Sequence, residues 1–240
     1  MSITDTSNGR LCNQIIRNLA LSLVAEKYDL YTEYSNFDII NNQLGIELFI
    51  GNKKYEKTET IRGSHNYMKL YNGLEKVDYN LNFMREYFQR GPITSILHRH
   101  LKNNKEKIMN KNKYKDRYNK NNDIFLHIRL TDASKFNVGI DYYCNCIDKI
   151  KYDNIYIASD NFKHEYITKI KELYPNVTLF DENEVDTIQF GSTCKHIILS
   201  HGTFSAVIGY LAFFSDVYFK NCNPWWCPID IFIDKGFIAT

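Results

Sequence analysis

His196-Ile197-Ile198-Leu199-Ser200-His201-Gly202-Thr203-Phe204-Ser205 is the stretch on which the fold turns, because it runs on into an apolar segment from Ala206 to Phe214. The order reads as a buried strand, a tight turn and a helix. Such a turn aims unpaired backbone N–H groups, the positive end of a helix dipole and two hydroxyls at one point in space, which suits a phosphate. The same residues also fit an ordinary strand-to-helix connection with Ser or Thr at the cap. Function is therefore weighed with two further segments.

The first is Ile124-Phe125-Leu126-His127-Ile128-Arg129-Leu130-Thr131-Asp132. Its apolar start and alternation predict a strand ending at Asp132, with His127 and Arg129 on one face because residues i and i+2 point the same way. A planar, permanently charged guanidinium beside an imidazole is suited to grip a pyrophosphate and to neutralise charge developing on a departing diphosphate. The pair also fits the solvated face of an edge strand. The second segment is Asn8-Gly9-Arg10-Leu11-Cys12-Asn13-Gln14, which runs into a helical stripe of Ile15, Ile16, Leu19, Ala20, Leu23 and Val24. A glycine turn thus opens a buried helix, with Asn13 and Gln14 in its first turn, placed to line a cleft or simply to cap.

Around these segments the second half of the chain alternates. Strands are expected at 124–130, 154–158, 177–180, 196–200 and 216–219, and helices at about 140–151, 162–173, 185–193 and 203–214. That is the pattern of a parallel α/β sheet, whose ligand lies at the carboxyl ends of the strands. Arg129, Asp160 and Thr203 all fall at such ends.

Taken in order, the segments resemble the fucosyltransferase superfamily, especially the α-1,2-fucosyltransferases (glycosyltransferase family 11-like) and more distantly the protein O-fucosyltransferases. The Gly-x-Leu/Phe-Gly-Asn-Gln opening is matched by Gly9-Arg10-Leu11-Cys12-Asn13-Gln14, and the His-x-Arg-x-Gly-Asp strand end by His127 to Asp132. A strand ending in Ser/Thr-Asp appears as Ile155 to Asp160, and Asp186 precedes the Gly202-Thr203-Phe204-Ser205 turn as an Asp precedes Ser-Thr-Phe-Ser in that family. The match covers the first turn and most of 121–220. Three positions depart from the pattern: Thr131 and Cys12 replace glycines, and Gly202 replaces a serine. Met1 to Thr6 is also a poor version of the apolar strand that the family places before its glycine turn.

The resemblance implies a two-lobed GT-B-like α/β fold with two Rossmann-like lobes, residues 1–115 as the acceptor-side lobe and 116–240 as the donor-binding lobe with its parallel sheet. It implies transfer of fucose from GDP-fucose to a glycan hydroxyl with inversion, no cofactor and no required metal. Arg129 would be catalytic, holding the β-phosphate and stabilising the leaving GDP, with His127 bonded to the donor beside it. Thr203, Phe204 and Ser205 would cradle the diphosphate, Asp186 would accept from the guanine N1–H and amine, and Asn13 and Gly9 would close the cleft. The general base stays open among Asp132, Glu33 and His201. Two alternatives remain: another nucleotide sugar as donor, and a non-catalytic nucleotide-sugar or glycan-binding homologue.

Composition is that of an ordinary globular chain. It has 240 residues, 44% of them hydrophobic, and a net charge of +2, which gives no argument for nucleic acid. No apolar run approaches the roughly 20 residues that span a bilayer, and no signal-peptide pattern opens the sequence, so a cytoplasmic location is expected. The six cysteines are scattered and read as reduced thiols; neither Cys144 with Cys146 nor Cys222 with Cys227 has paired zinc spacing. Between Leu101 and Lys120 eight Lys and Arg residues face two acidic ones. This run reads as a solvated helix or linker between a helix-rich first half and the α/β half, or as a surface that draws in an anionic donor or membrane. Tyrosines at 67–71 and 79–87 fit either a sugar cleft or core packing, and the tail from Pro224 is expected to pack back across the lobes.

Overall fold

A computed structural model of the chain describes residues 3–4, 9–83, 86–131, 136–220 and 238–239. The chain divides into two compact units, 1–108 and 109–240.

The first unit is built on α1 (Leu11–Tyr28), which is buried over most of its circumference, including Arg17, Asn18 and Ser22 beside the apolar Ile15, Ile16, Leu19 and Val24. The half expected to be helix-rich also carries a parallel sheet. β1 (Ile3–Thr4) and β2 (Thr58–Thr60) both pair with β3 (Asn80–Asn82), giving the order β1-β3-β2. The poor opening strand of the sequence is therefore present, as two residues opposite Leu81 and Asn82. Helices α2 (Gly63–Tyr71), α3 (Gly91–Asn103) and α4 (Lys105–Lys111) follow. Tyr67 belongs to the core: it is fully buried, its ring lies 5.0 Å from Phe88 and 6.2 Å from Phe83, and its hydroxyl donates to the Ala20 carbonyl at 3.1 Å.

The second unit is a doubly wound parallel sheet. Its strands are β4 (Ile124–Ile128), β5 (Ile155–Ser159), β6 (Val177–Leu179), β7 (His196–Ile198), β8 (Asp216–Phe219) and β9 (Ile238–Ala239), in the order β6-β5-β4-β7-β8-β9. Helices α5 (Ile140–Ile147), α6 (Glu165–Leu173), α7 (Glu184–Gly191) and α8 (Thr203–Leu211) connect the first five strands. The last strand was not expected; of the tail, only Ile238 and Ala239 are described, and they extend the sheet beside Tyr218 and Phe219.

β4 shows how the sequence builds two layers. It lies between β5 and β7 and all five of its residues are buried. Ile124, Leu126 and Ile128 pack with Tyr142, Tyr143, Cys146 and Ile147 of α5 and with Ile167 and Ile170 of α6. The alternate residues, Phe125 and His127, meet α7 and α8 on the opposite face, as a period of two requires. α7 comes close because Gly191 lacks a side chain: a Cβ there would lie 2.7 Å from the Phe125 ring.

The first half of the basic run is helical, in α3 and α4, as one of its two readings expects. Residues 109–122 belong to the second unit and are strapped across α7. Asn112 Nδ2 donates to the Gln189 carbonyl at 2.9 Å, Arg117 Nη2 meets Asp123 at 2.6 Å, and the Arg117 guanidinium lies 4.4 Å from the centre of the Phe190 ring. Tyr114 packs edge-on to the same ring at 5.2 Å. The hydrocarbon and planar parts of these polar residues give the segment a packed face that a count of its charges hides, so the division falls at 108 rather than 115.

Candidate functional site

β4 and β7 are neighbours in the sheet, but α5 follows the first on one face and α8 follows the second on the other. The strand order reverses there, and the crevice outside the carboxyl ends of two such strands is where ligands bind in open α/β sheets. The residues that converge at it are His127, Arg129, Ser200, His201, Gly202, Thr203, Phe204 and Ser205.

The turn after β7 owes its shape to Gly202. This residue is the N-cap of α8, with φ 110° and ψ 150°, a conformation essentially closed to residues with a Cβ, and it gives the helix no side-chain cap. The departure from a motif serine is thus a backbone requirement. The first N–H groups of α8 have no carbonyl partners within the helix, and Thr203 and Phe204 at its start are half-buried. Arg129 stands beside them, its backbone N–H bonded to Ser200 Oγ at 3.3 Å.

Ser205 is placed differently from its neighbours. It is 1% exposed, its Oγ lies 2.6 Å from His127 Nδ1, and it accepts the Ser200 N–H at 3.0 Å. Its hydroxyl is therefore spent inside the protein. His127 packs its ring 5.0 Å from that of Phe204. Burial, opposed by Asp160 and reinforced by Arg129 and His201, pushes the imidazole down to about 3, so it is neutral at physiological pH.

Asp160 organises the loop after β4. Its carboxylate accepts the Leu130 N–H at 2.7 Å, the Thr131 N–H at 3.2 Å and the Thr131 hydroxyl at 2.6 Å. Burial works against its ionisation, but these three bonds outweigh burial and hold its pKa below the usual value. Thr131, the second departure from the motif, thus contributes a bond that glycine lacks. The strand-end position of Asp160 is legible in the sequence; its bonds to Thr131, 29 residues away, are not.

Asp186 lies in the first turn of α7, which follows β6; that strand is separated from β4 by β5. Its N–H is capped by Asn183 Oδ1 at 2.9 Å, and its Oδ2 accepts from Asn183 Nδ2 at 2.9 Å and from Lys113 Nζ at 2.7 Å. Lys113, from the strapped segment, is a neighbour that local reading of the sequence missed.

Gly9 and Asn13 open α1 in the first unit. Gly9 has φ 99°, and a Cβ there would come within 2.4 Å of the Asn13 side chain. Asn13 Oδ1 accepts from Gln89 Nε2 at 2.8 Å, while Gln14 bonds the Gly9 carbonyl at 2.9 Å and Asn36 at 2.6 Å. Cys12, in the place of a motif glycine, is buried in the first turn. Of the three candidate bases, Glu33 is exposed and accepts from Tyr31 at 3.1 Å, and His201 is buried with Nδ1 3.4 Å from Ser200 Oγ; Asp132 lies outside the described residues. Cys12, Cys144, Cys146 and Cys194 are not in disulfides, and Cys222 and Cys227 lie outside the described residues. Among the described residues no three His, Cys, Asp or Glu side chains gather as metal ligands, and no helix is long and apolar enough to cross a membrane.

No protein-family model and no curated protein matches the sequence. Solved structures similar to it include NodZ α-1,6-fucosyltransferase co-crystallised with GDP, at 10% identity and a TM-score of 0.38 over 65% of this chain and 61% of that one. Fucosyltransferase NodZ from Bradyrhizobium gives 11% identity and a TM-score of 0.38 over 64% and 58%. A mutant of Arabidopsis thaliana FUT1 in complex with GDP gives 12% identity and a TM-score of 0.47 over 90% and 69%. The chain spans about three fifths of the length of the NodZ structures.

Proposed function

We propose that the chain is an inverting glycosyltransferase that transfers fucose from GDP-fucose to a glycan hydroxyl, with the second unit as the donor lobe of a GT-B-like enzyme. The observation that supports this reading is the position of Arg129: it follows β4 beside the start of α8, bonded through its backbone to Ser200, at the switch point of the sheet. A guanidinium carried next to a helix start, with its row of N–H groups, is complementary to a diphosphate, and more so to the charge it gains as the glycosidic bond breaks. The motif order in the sequence supplies the sugar and the base.

On this reading Arg129 binds the β-phosphate and stabilises GDP as it leaves, a task that needs no divalent cation. The N–H groups of Thr203, Phe204 and Ser205 cradle the diphosphate, and the Thr203 hydroxyl adds to them. His127 contributes a hydrogen bond. Asp186 accepts two donors from the guanine edge, a pattern that separates guanine strongly from adenine.

The test is thermal unfolding with GDP, UDP, ADP and CMP at matched concentrations without added metal, followed by transfer from labelled GDP-fucose. A ligand at a hundred times its Kd stabilises the folded state by about 2.7 kcal/mol. GDP alone is expected to raise Tm. Tighter binding of UDP would overturn the GDP assignment, and no response to any nucleotide would overturn the donor lobe.

A further inference from the structure

We propose that Ser205 is a positioning residue whose hydroxyl holds His127 in the tautomer protonated on Nε2, so that a neutral imidazole presents a fixed N–H donor to the anion bound at the start of α8. The inference rests on the reading of that turn as an anion site.

The argument counts hydrogens. A serine hydroxyl has one hydrogen and two lone pairs. One lone pair of Ser205 Oγ is occupied by the Ser200 N–H at 3.0 Å, and the remaining short contact is His127 Nδ1 at 2.6 Å. If Ser205 donates to Nδ1, its hydrogen and the ring nitrogen are both satisfied, and the imidazole proton must sit on Nε2. If instead Nδ1–H donates to Oγ, the Ser205 hydrogen has no acceptor, in a residue 1% exposed to water. A buried donor left unsatisfied makes the second arrangement the less stable. Burial keeps the ring neutral, so only one nitrogen carries a proton.

The same contacts tie the donor to its neighbours. Ser200 bonds Ser205 through its N–H and takes the Arg129 N–H on its own Oγ at 3.3 Å. Two serines of the α8 turn thus hold the His127 ring of β4 and the backbone of Arg129 just beyond it. Phe204 packs against the His127 ring at 5.0 Å and opposes its rotation. The sequence reading gave the Ser205 hydroxyl to the phosphate directly; here it acts through His127.

Two-bond ¹H–¹⁵N spectra of the whole protein labelled on histidine, with His127→Gln to assign the signal, read the tautomer in the free protein. We expect Nδ1 unprotonated and Nε2 protonated. Ser205→Ala should shift the ring toward the other tautomer and weaken GDP binding by about tenfold, the scale of one buried hydrogen bond, whereas Ser205→Thr should restore both. A wild-type ring protonated on Nδ1 overturns the proposal without any variant. So does a Ser205→Ala protein that binds GDP as the wild type does. If the wild type has the expected tautomer but binds no nucleotide, the anion-site reading fails instead.

Discussion

Two glycine turns open helices in this molecule, Gly9 before α1 and Gly202 before α8, with φ of 99° and 110°, and they are stiffened in different ways. The first is braced by amides: Gln14, Asn36, Gln89 and Asn13, most of them in contact with water. The second is braced by Ser200, Ser205 and His127, each at most 7% exposed. Water competes for every bond in the first set and for few in the second, so the α8 turn is the preorganised one. Preorganisation matters most where charge develops during a reaction. The α1 turn has the chemistry of a surface that adjusts to what it meets.

The largest effect expected on this contrast is at Arg129. Arg129→Ala should lower transfer by at least about a hundredfold, roughly 2.7 kcal/mol of transition-state stabilisation, with Tm little changed; near-normal turnover would remove Arg129 from its role. Gly202→Ala comes next. A side chain in that backbone region costs about 2–3 kcal/mol, so Tm should fall and GDP affinity with it, and an unchanged Tm would show the turn to be more pliable than its bonds imply.

The third expectation concerns acid, because amides do not titrate and His127 does. The folded-state pKa of His127, about 3, lies below the ordinary 6.5, so the unfolded chain binds the proton more readily. The stability this represents is complete above about pH 6.5 and is lost as pH falls toward 3. Denaturant titrations at pH 7 and pH 4.5 should show wild type losing about 2 kcal/mol more than His127→Gln. Equal losses would mean that His127 is protonated in the folded state. The smallest effect is on the other turn: Gln89→Ala removes a part-buried bond to Asn13 and should cost about 0.5 kcal/mol in equilibrium unfolding. A loss several times larger would erase the contrast.

How much of this was legible differs between the two units for physical reasons. In the second, strands of β-branched residues bounded by polar turns announce themselves, and β4 to β8 fall within two residues of their expected ends. Of the helices, α6 ends at Leu173 as expected, whereas α5, α7 and α8 stop early. α5 ends at Ile147 because the chain tightens, with the Ile150 N–H bonded to the Ile147 carbonyl at 3.0 Å, and α8 ends at Leu211 where Ala212 turns to ψ 70°. In the first unit, Thr-Glu-Thr and Asn-Leu-Asn form strands of 3 residues each, too short and too polar for a period of two to register. Arg129, Thr203 and Phe204 are visible as local motifs. The bonds around them are not, since the His127–Ser205 pair is 78 residues apart and Lys113 reaches Asp186 from a segment whose charges read as solvated.

The pairing of β4 with β7 has a kinetic consequence. β4, β5 and β6 join through successive short crossovers, whereas β7 must return past both β5 and β6 to dock beside β4, closing a long loop against chain entropy. His127 cannot meet Ser205 until that step is complete. Topology thus places the β4–β7 junction after the local crossovers, and a chain holding only β4 to β6 would lack the α8 turn and its bond to His127.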